Sequence, residues 1–118
     1  MSDYKQLLVW QRAIDFSVRL HEVAKSFPRT GAPGLKSQLL RAVGSIHTNL
    51  SERSNSGDAE YARFVTISIG STNETENHVI FAMRIGFIDR STANELIAEL
   101  QEIRRMLYGL RNYLQGDG

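Results

Sequence analysis

Leu96, Leu100, Ile103, Leu107, Leu110 and Leu114 follow one another at alternating steps of four and three residues, and no other pattern in the chain restricts its fold as strongly. Steps averaging 3.5 keep every one of these side chains on a single face of an α-helix, whereas in a strand they would scatter over both faces. The spacing therefore predicts a helix over residues 90–114 with the narrow apolar seam of a helical bundle. Asp89 or Ser91 can cap its start, and Thr92 with Glu95 has the spacing of a capping box. Glu95, Glu99 and Glu102 precede Arg104, Arg105 and Arg111, the order that suits the helix dipole.

A seam needs partners, and three further segments have helical period. Residues 35–54 carry Leu35, Leu39, Ala42, Val43, Ile46 and Leu50 on one face, with Ser45 and Asn49 on its flank. Residues 58–85 carry Tyr61, Phe64, Val65, Thr72, Thr75, Glu76, Val79 and Met83 on theirs. Buried carboxylates and amides are costly unless hydrogen-bonded. Ser45, Asn49 and Glu76 are accordingly expected to form a structural polar core, with Glu76 reaching Asn49, Ser45 or an arginine such as Arg41 or Arg53. Ser56 or Gly57 is the expected cap of this third helix, Asp58 and Glu60 sit in its first turn, and Gly86 closes it.

The first helix, residues 6–27, has two apolar stripes: Leu7, Trp10, Ile14 and Val18, and separately Val9, Ala13, Phe16, Leu20, Val23 and Phe27. Only a wedge around Arg12, Asp15, Arg19 and Glu22 is left for water. A surface helix of a monomeric bundle needs one apolar face, so the second implies another partner. Helix two adds a back face of small residues, Ser37, Gly44 and Ser51 with Thr48 between, which reads either as a close approach by another backbone or as a tolerated solvated face. A mid-helix glycine costs roughly 0.5–1 kcal/mol relative to alanine. Ile67, Glu74, Phe81 and Ile85 share a partly apolar flank of helix three that suits a subunit contact. Pro28 and the Gly/Pro content of residues 29–34 mark a connection, and residues 115–118 a short tail. No strand-period segment or repeat occurs. The chain reads as one all-α domain over residues 1–118, an antiparallel up-down-up-down four-helix bundle.

Chemistry is scarce. There is no cysteine, so disulfides and thiolate metal sites are excluded, which fits a reducing compartment. Fourteen Lys and Arg against thirteen Asp and Glu leave no overall field for nucleic acid or an anionic membrane. The start lacks signal-peptide character and no apolar run approaches the ~20 residues of a membrane span; a cytoplasmic location is expected. Bundle metal sites call for Glu-x-x-His pairs, and none is present: Glu74 and His78 stand four apart, and His21-Glu22 is followed by Lys25 where a zinc helix needs its second histidine. His21 reads as a partly buried core residue, His47 and His78 as surface or interface residues. Glu74 and Glu76 diverge by about 160° on a helix and cannot act as an acid/base pair on one substrate. No catalytic, cofactor or metal residues are expected. The best nucleic-acid candidate is the side of helix four with Gln101, Arg104, Tyr108, Arg111 and Arg105, extended by Arg12 and Arg19, since arginines interleaved with an aromatic can hold phosphates and stack on a base. The alternative is a solvated face with internal pairs such as Glu102 to Arg105.

Taken together, residues 4–13 (YKQLLVWQRA), Phe27-Pro28, residues 34–38 (GLKSQ), Ser45-Ile46 with Asn49 and Glu52, Gly70-Ser71 with Glu74 and Glu76, residues 84–88 (RIGFI) and residues 102–110 (EIRRMLYGL) carry a resemblance. The chain resembles the family of four-helix bundles named for reading frames inside 23S rRNA intervening sequences, from Tyr4 to about Leu114. The resemblance implies a small cytoplasmic bacterial protein forming a homopentamer without enzymatic activity. It also implies a functional analogy with the accessory variability determinant of diversity-generating retroelements, a basic pentamer that binds a reverse transcriptase and nucleic acid. The chain departs from the family pattern at Leu40, usually basic, at His47, usually proline, and at Ser51 and Arg53, usually Ala and Gly. The expectation is a non-enzymatic homo-oligomeric accessory or scaffold with an RNA or a protein partner; the alternative is a scaffold that contacts protein alone.

Overall fold

The computed structural model describes residues 3–55 and 57–116. Four helices, α1 (Leu8–Ala24), α2 (Leu35–Leu50), α3 (Asp58–Arg84) and α4 (Arg90–Leu114), run alternately up and down in a body of 45 × 22 × 19 Å. α2 packs on α1 and α3, and α3 on α2 and α4. The first and last helices touch more lightly and close the bundle.

The core is where periodicity places it. Every residue of the α2 stripe is buried, as are Leu96, Leu100, Ile103, Leu107 and Leu114 of the α4 seam, with Leu110 partly covered. α3 buries Tyr61, Val65, Thr72, Thr75 and Val79 as expected, and Ser68 and Ser71 besides.

The ends show local chemistry overriding period. α1 begins at Leu8, later than expected, because Leu7 is extended and a short 3-10 turn, Tyr4–Gln6, precedes it, capped by the Asp3 carboxylate on Lys5 N at 2.9 Å. It ends at Ala24: Phe27 N donates back to Ala24 O at 3.1 Å in a tighter turn, and Pro28 disfavours helix for the residue before it. Phe27 still folds into the core and meets Phe87 with ring centroids 5.4 Å apart. α2 stops at Leu50 and tightens into a 3-10 turn, Ser51–Asn55. Gly57 caps α3; Ser56, the other candidate, lies outside the described residues. At the far end of α3, Gly86 adopts φ +87, Phe87 N donates to Ala82 O at 2.8 Å and Gly86 N to Met83 O at 3.0 Å, which is a Schellman closure. Asp89 caps α4 by accepting from Thr92 N at 2.7 Å, so Thr92 is already inside the helix and does not open a capping box with Glu95.

Candidate functional site

Polar groups of α2 and α3 do meet, but in two separate clusters. On the α2 side, Asn49 Nδ2 donates to Ser45 O at 2.8 Å and to Ser45 Oγ at 2.9 Å, and Ser71 Oγ of α3 donates to Ser45 Oγ at 2.8 Å. Ser68 Oγ donates to Ile46 O at 2.8 Å, and Tyr61 OH to Leu50 O at 2.7 Å. The second cluster lies between α3 and α4. Arg104 Nη2 donates to Glu76 Oε1 at 2.6 Å and Arg104 Nε to Thr72 Oγ1 at 3.1 Å. Glu76 therefore takes its partner from α4, not from Asn49, Ser45, Arg41 or Arg53, because its direction on the helix points it toward the opposite neighbour. Among the described residues no buried side-chain nitrogen or oxygen lacks a hydrogen bond. Burial pushes the Tyr61 phenol up to about 12, with the Arg53 charge opposing.

The arginines named from sequence are mostly engaged within the molecule. Arg12 grips Glu99 with Nη2–Oε1 at 2.7 Å and Nε–Oε2 at 3.1 Å, and its charge reaches Glu102 at 3.8 Å. The Glu99 hydrogen bond raises the Arg12 guanidinium further. Arg19 meets Glu95 at 2.5 Å. Arg105 meets Glu102 at 2.5 Å, the internal pair foreseen as the alternative, and holds that carboxyl below its ordinary range. Asp15, Arg19 and Glu22 of the α1 wedge are exposed as expected, and from it Arg12 and Arg19 reach carboxylates of α4 across a groove that Asp15 also lines. Arg111 differs: its guanidinium lies over the exposed Tyr108 ring at 4.9 Å, and Nη1 donates to Thr66 Oγ1 at 3.2 Å.

The residues named as an oligomer interface lie on α2, on the turn after it and on α3. Ser37 is exposed on α2, Gly44 and Ser51 are partly exposed on α2 and on the turn after it, and among the described residues nothing beyond the neighbouring helix backbone lies within 4 Å of where a Cβ on Gly44 would stand. On one flank a groove between α1 and α2 holds Ile14, Val18, His21 and His47, with Val18 64% exposed. On the other flank Phe81, 49% exposed, lies beside Gln38, Leu35 and His78. Ile67 is exposed on α3 and Ile85 just past its end, and Glu74 Oε2 stands 4.0 Å from His78 Nε2. His21 is exposed and not the core residue expected; its Nδ1 stays within α1, 2.9 Å from Ser17 O. His47 is half-buried, and burial, then the neighbouring His21, lowers it below its ordinary value.

Among the described residues no group of three His, Asp or Glu converges on a common point, and no helix is long and apolar enough to cross a membrane. Compared with known proteins, residues 5–109 match the model of a family described as 23S rRNA-intervening sequence protein. No curated protein matches the chain. A crystal structure of a protein of unknown function from the S23 ribosomal protein family of Bacteroides thetaiotaomicron VPI-5482 superimposes with a TM-score of 0.80 at 22% identity, covering 88% of this chain and 98% of that one. That likeness establishes a shared fold.

Proposed function

The chain belongs to the 23S rRNA-intervening sequence protein family, and from that premise we propose that it is a non-enzymatic, homo-oligomeric cytoplasmic scaffold or accessory protein. One observation carries the reading. Val18 and Phe81 stand exposed in grooves on the two flanks of α2, and between them Gly44 leaves room for close approach by another chain. A helix face that buries nothing in its own bundle is covered by a partner or exposes an apolar patch unusual for a monomer. A second copy of the chain is the partner proposed, and the copy number of five comes from the family resemblance alone. Contact with RNA along α1 and α4 is supported only by Arg111 over Tyr108, since carboxylates neutralise Arg12, Arg19, Arg104 and Arg105.

Light scattering tests the assembly. The parent should have a multiple of the monomer mass at micromolar concentration, and Val18→Glu with Phe81→Glu should reduce it to 13.3 kDa without loss of helical signal. A monomeric parent would refute the proposal.

A further inference from the structure

Folding sorts the charges of a nearly neutral chain. Most cations along the sides of the bundle meet a carboxylate, Arg41 and Arg111 excepted, and at the end where the chain begins Arg53 meets Asp58 and Arg63 meets Glu60 while Lys5 lies over the Tyr4 ring. The opposite end, made by the α1–α2 and α3–α4 connections, is different. Arg29 and Lys36 come from the first connection and its exit, Arg84 and Arg90 from either side of the second, and all four are exposed. None has a carboxylate within ion-pair distance among the described residues. The acids nearby are already occupied: Glu22 holds Lys25 at 2.9 Å, and Asp89 caps α4.

The two connections are locked together by the Phe27–Phe87 contact, and a Cβ on Gly31 would stand 3.6 Å from the Phe87 ring. The bundle is only 22 × 19 Å in cross-section, so the four cations share one small face. The same end carries the amino-terminal pole of α2, whose first turn has neither a side-chain cap nor an acidic residue. Half-buried Phe87 and exposed Ile85 lie in the loop between Arg84 and Arg90.

We propose that this two-loop end binds the phosphodiester backbone of single-stranded RNA. Fixed cations without internal partners attract phosphates by releasing counterions, and the apolar patch among them can receive unstacked bases, which a duplex keeps inside. An acidic protein surface would match the charge but not the exposed apolar area of Ile85 and the open part of Phe87 that lie beside it. The proposal goes beyond the scaffold reading and does not depend on oligomerisation.

Anisotropy of a labelled oligouridylate probe tests it. With four phosphate contacts and a slope near −0.7 for each, parent affinity should fall about 50-fold between ~50 and ~200 mM salt. Arg29→Ala/Lys36→Ala/Arg84→Ala should bind more weakly at low salt and fall only about 3-fold over the same range. Arg63→Ala, at the opposite end and paired with Glu60, should behave as the parent. Circular dichroism checks the fold, and Lys36→Glu/Arg90→Glu, which should abolish binding, is the second variant. A parent that ignores the probe at low salt, a triple variant that binds as the parent does, or equal loss in Arg63→Ala would overturn the proposal. So would a parent that binds phosphatidylglycerol vesicles and not RNA.

Discussion

Replacing Arg104 with alanine should destabilise the protein by about 2 kcal/mol, and the size follows from where the pair sits. Exposed ion pairs contribute roughly 0.2–1 kcal/mol, while removing one partner of a fully buried pair costs roughly 3–5 kcal/mol. The Arg104 and Glu76 side chains are 21% and 25% exposed, which places them between these limits. Alanine also strips Thr72 Oγ1 of its 3.1 Å donor and leaves the Glu76 carboxylate in a largely desolvated groove. For a chain of 118 residues an unfolding entropy of about 2.1 cal/mol/K per residue converts ~2 kcal/mol into a Tm about 8 °C lower. Thermal unfolding followed by circular dichroism at fixed protein concentration reads this directly, since concentration shifts the Tm of any oligomer. Arg104→Lys should fall between, because an ammonium keeps the charge but cannot bridge Glu76 and Thr72 with one planar fork. The cycle of Arg104→Ala, Glu76→Ala and their combination should show a coupling of about 1 kcal/mol or more. A Tm for Arg104→Ala within about 2 °C of the parent, or a coupling near zero, would refute the reasoning.

Tyr61→Phe should cost about 1 kcal/mol by leaving Leu50 O without its donor, measured by urea unfolding. Because burial raises the folded phenol from 10.0 to about 12, its neutral form is the one the fold favours, so this contribution is full below pH 10 and is lost as pH rises toward 12; parent and Tyr61→Phe should converge over that window, and parallel profiles would count against the assignment. Asn49→Ala should cost about 1 kcal/mol, and Ser71→Ala should be non-additive with it because both act through Ser45 Oγ. Urea midpoints unchanged in both variants would remove the α2–α3 cluster from any structural role.

The parts of the fold legible in the sequence were those with an unbroken apolar period: the α4 seam and the α2 stripe are buried residue for residue, apart from the partial cover of Leu110. α3 was harder to read because Ser68 and Ser71 are buried through hydrogen bonds and carry no hydropathy signal. That Glu76 is structural followed from its position on the stripe. Its partner did not, since a helical wheel gives a direction and says nothing about which neighbour supplies the cation. The partners of Arg12 and Arg19 were hidden for the same reason; their glutamates lie on α4, 87 and 76 residues further along the chain. The cationic end was invisible because Arg29 and Lys36 are separated from Arg84 and Arg90 by the whole of α2 and α3, and the near-zero net charge conceals any local excess.

The seam between α1 and α4 is the one helix pairing that joins the two ends of the chain. α2, α3 and α4 pack on their neighbours in sequence, so their contacts require only short loops to close. Docking α1 on α4 instead brings together segments from opposite ends of the chain, through a light contact whose carboxylate–guanidinium rungs are partly or fully open to water. Such rungs weaken as ionic strength rises. The first helix is thus the natural last arrival and first departure: its backbone amides should exchange with deuterium before those of α2 and α3, and salt should widen that gap while leaving the three-helix remainder protected.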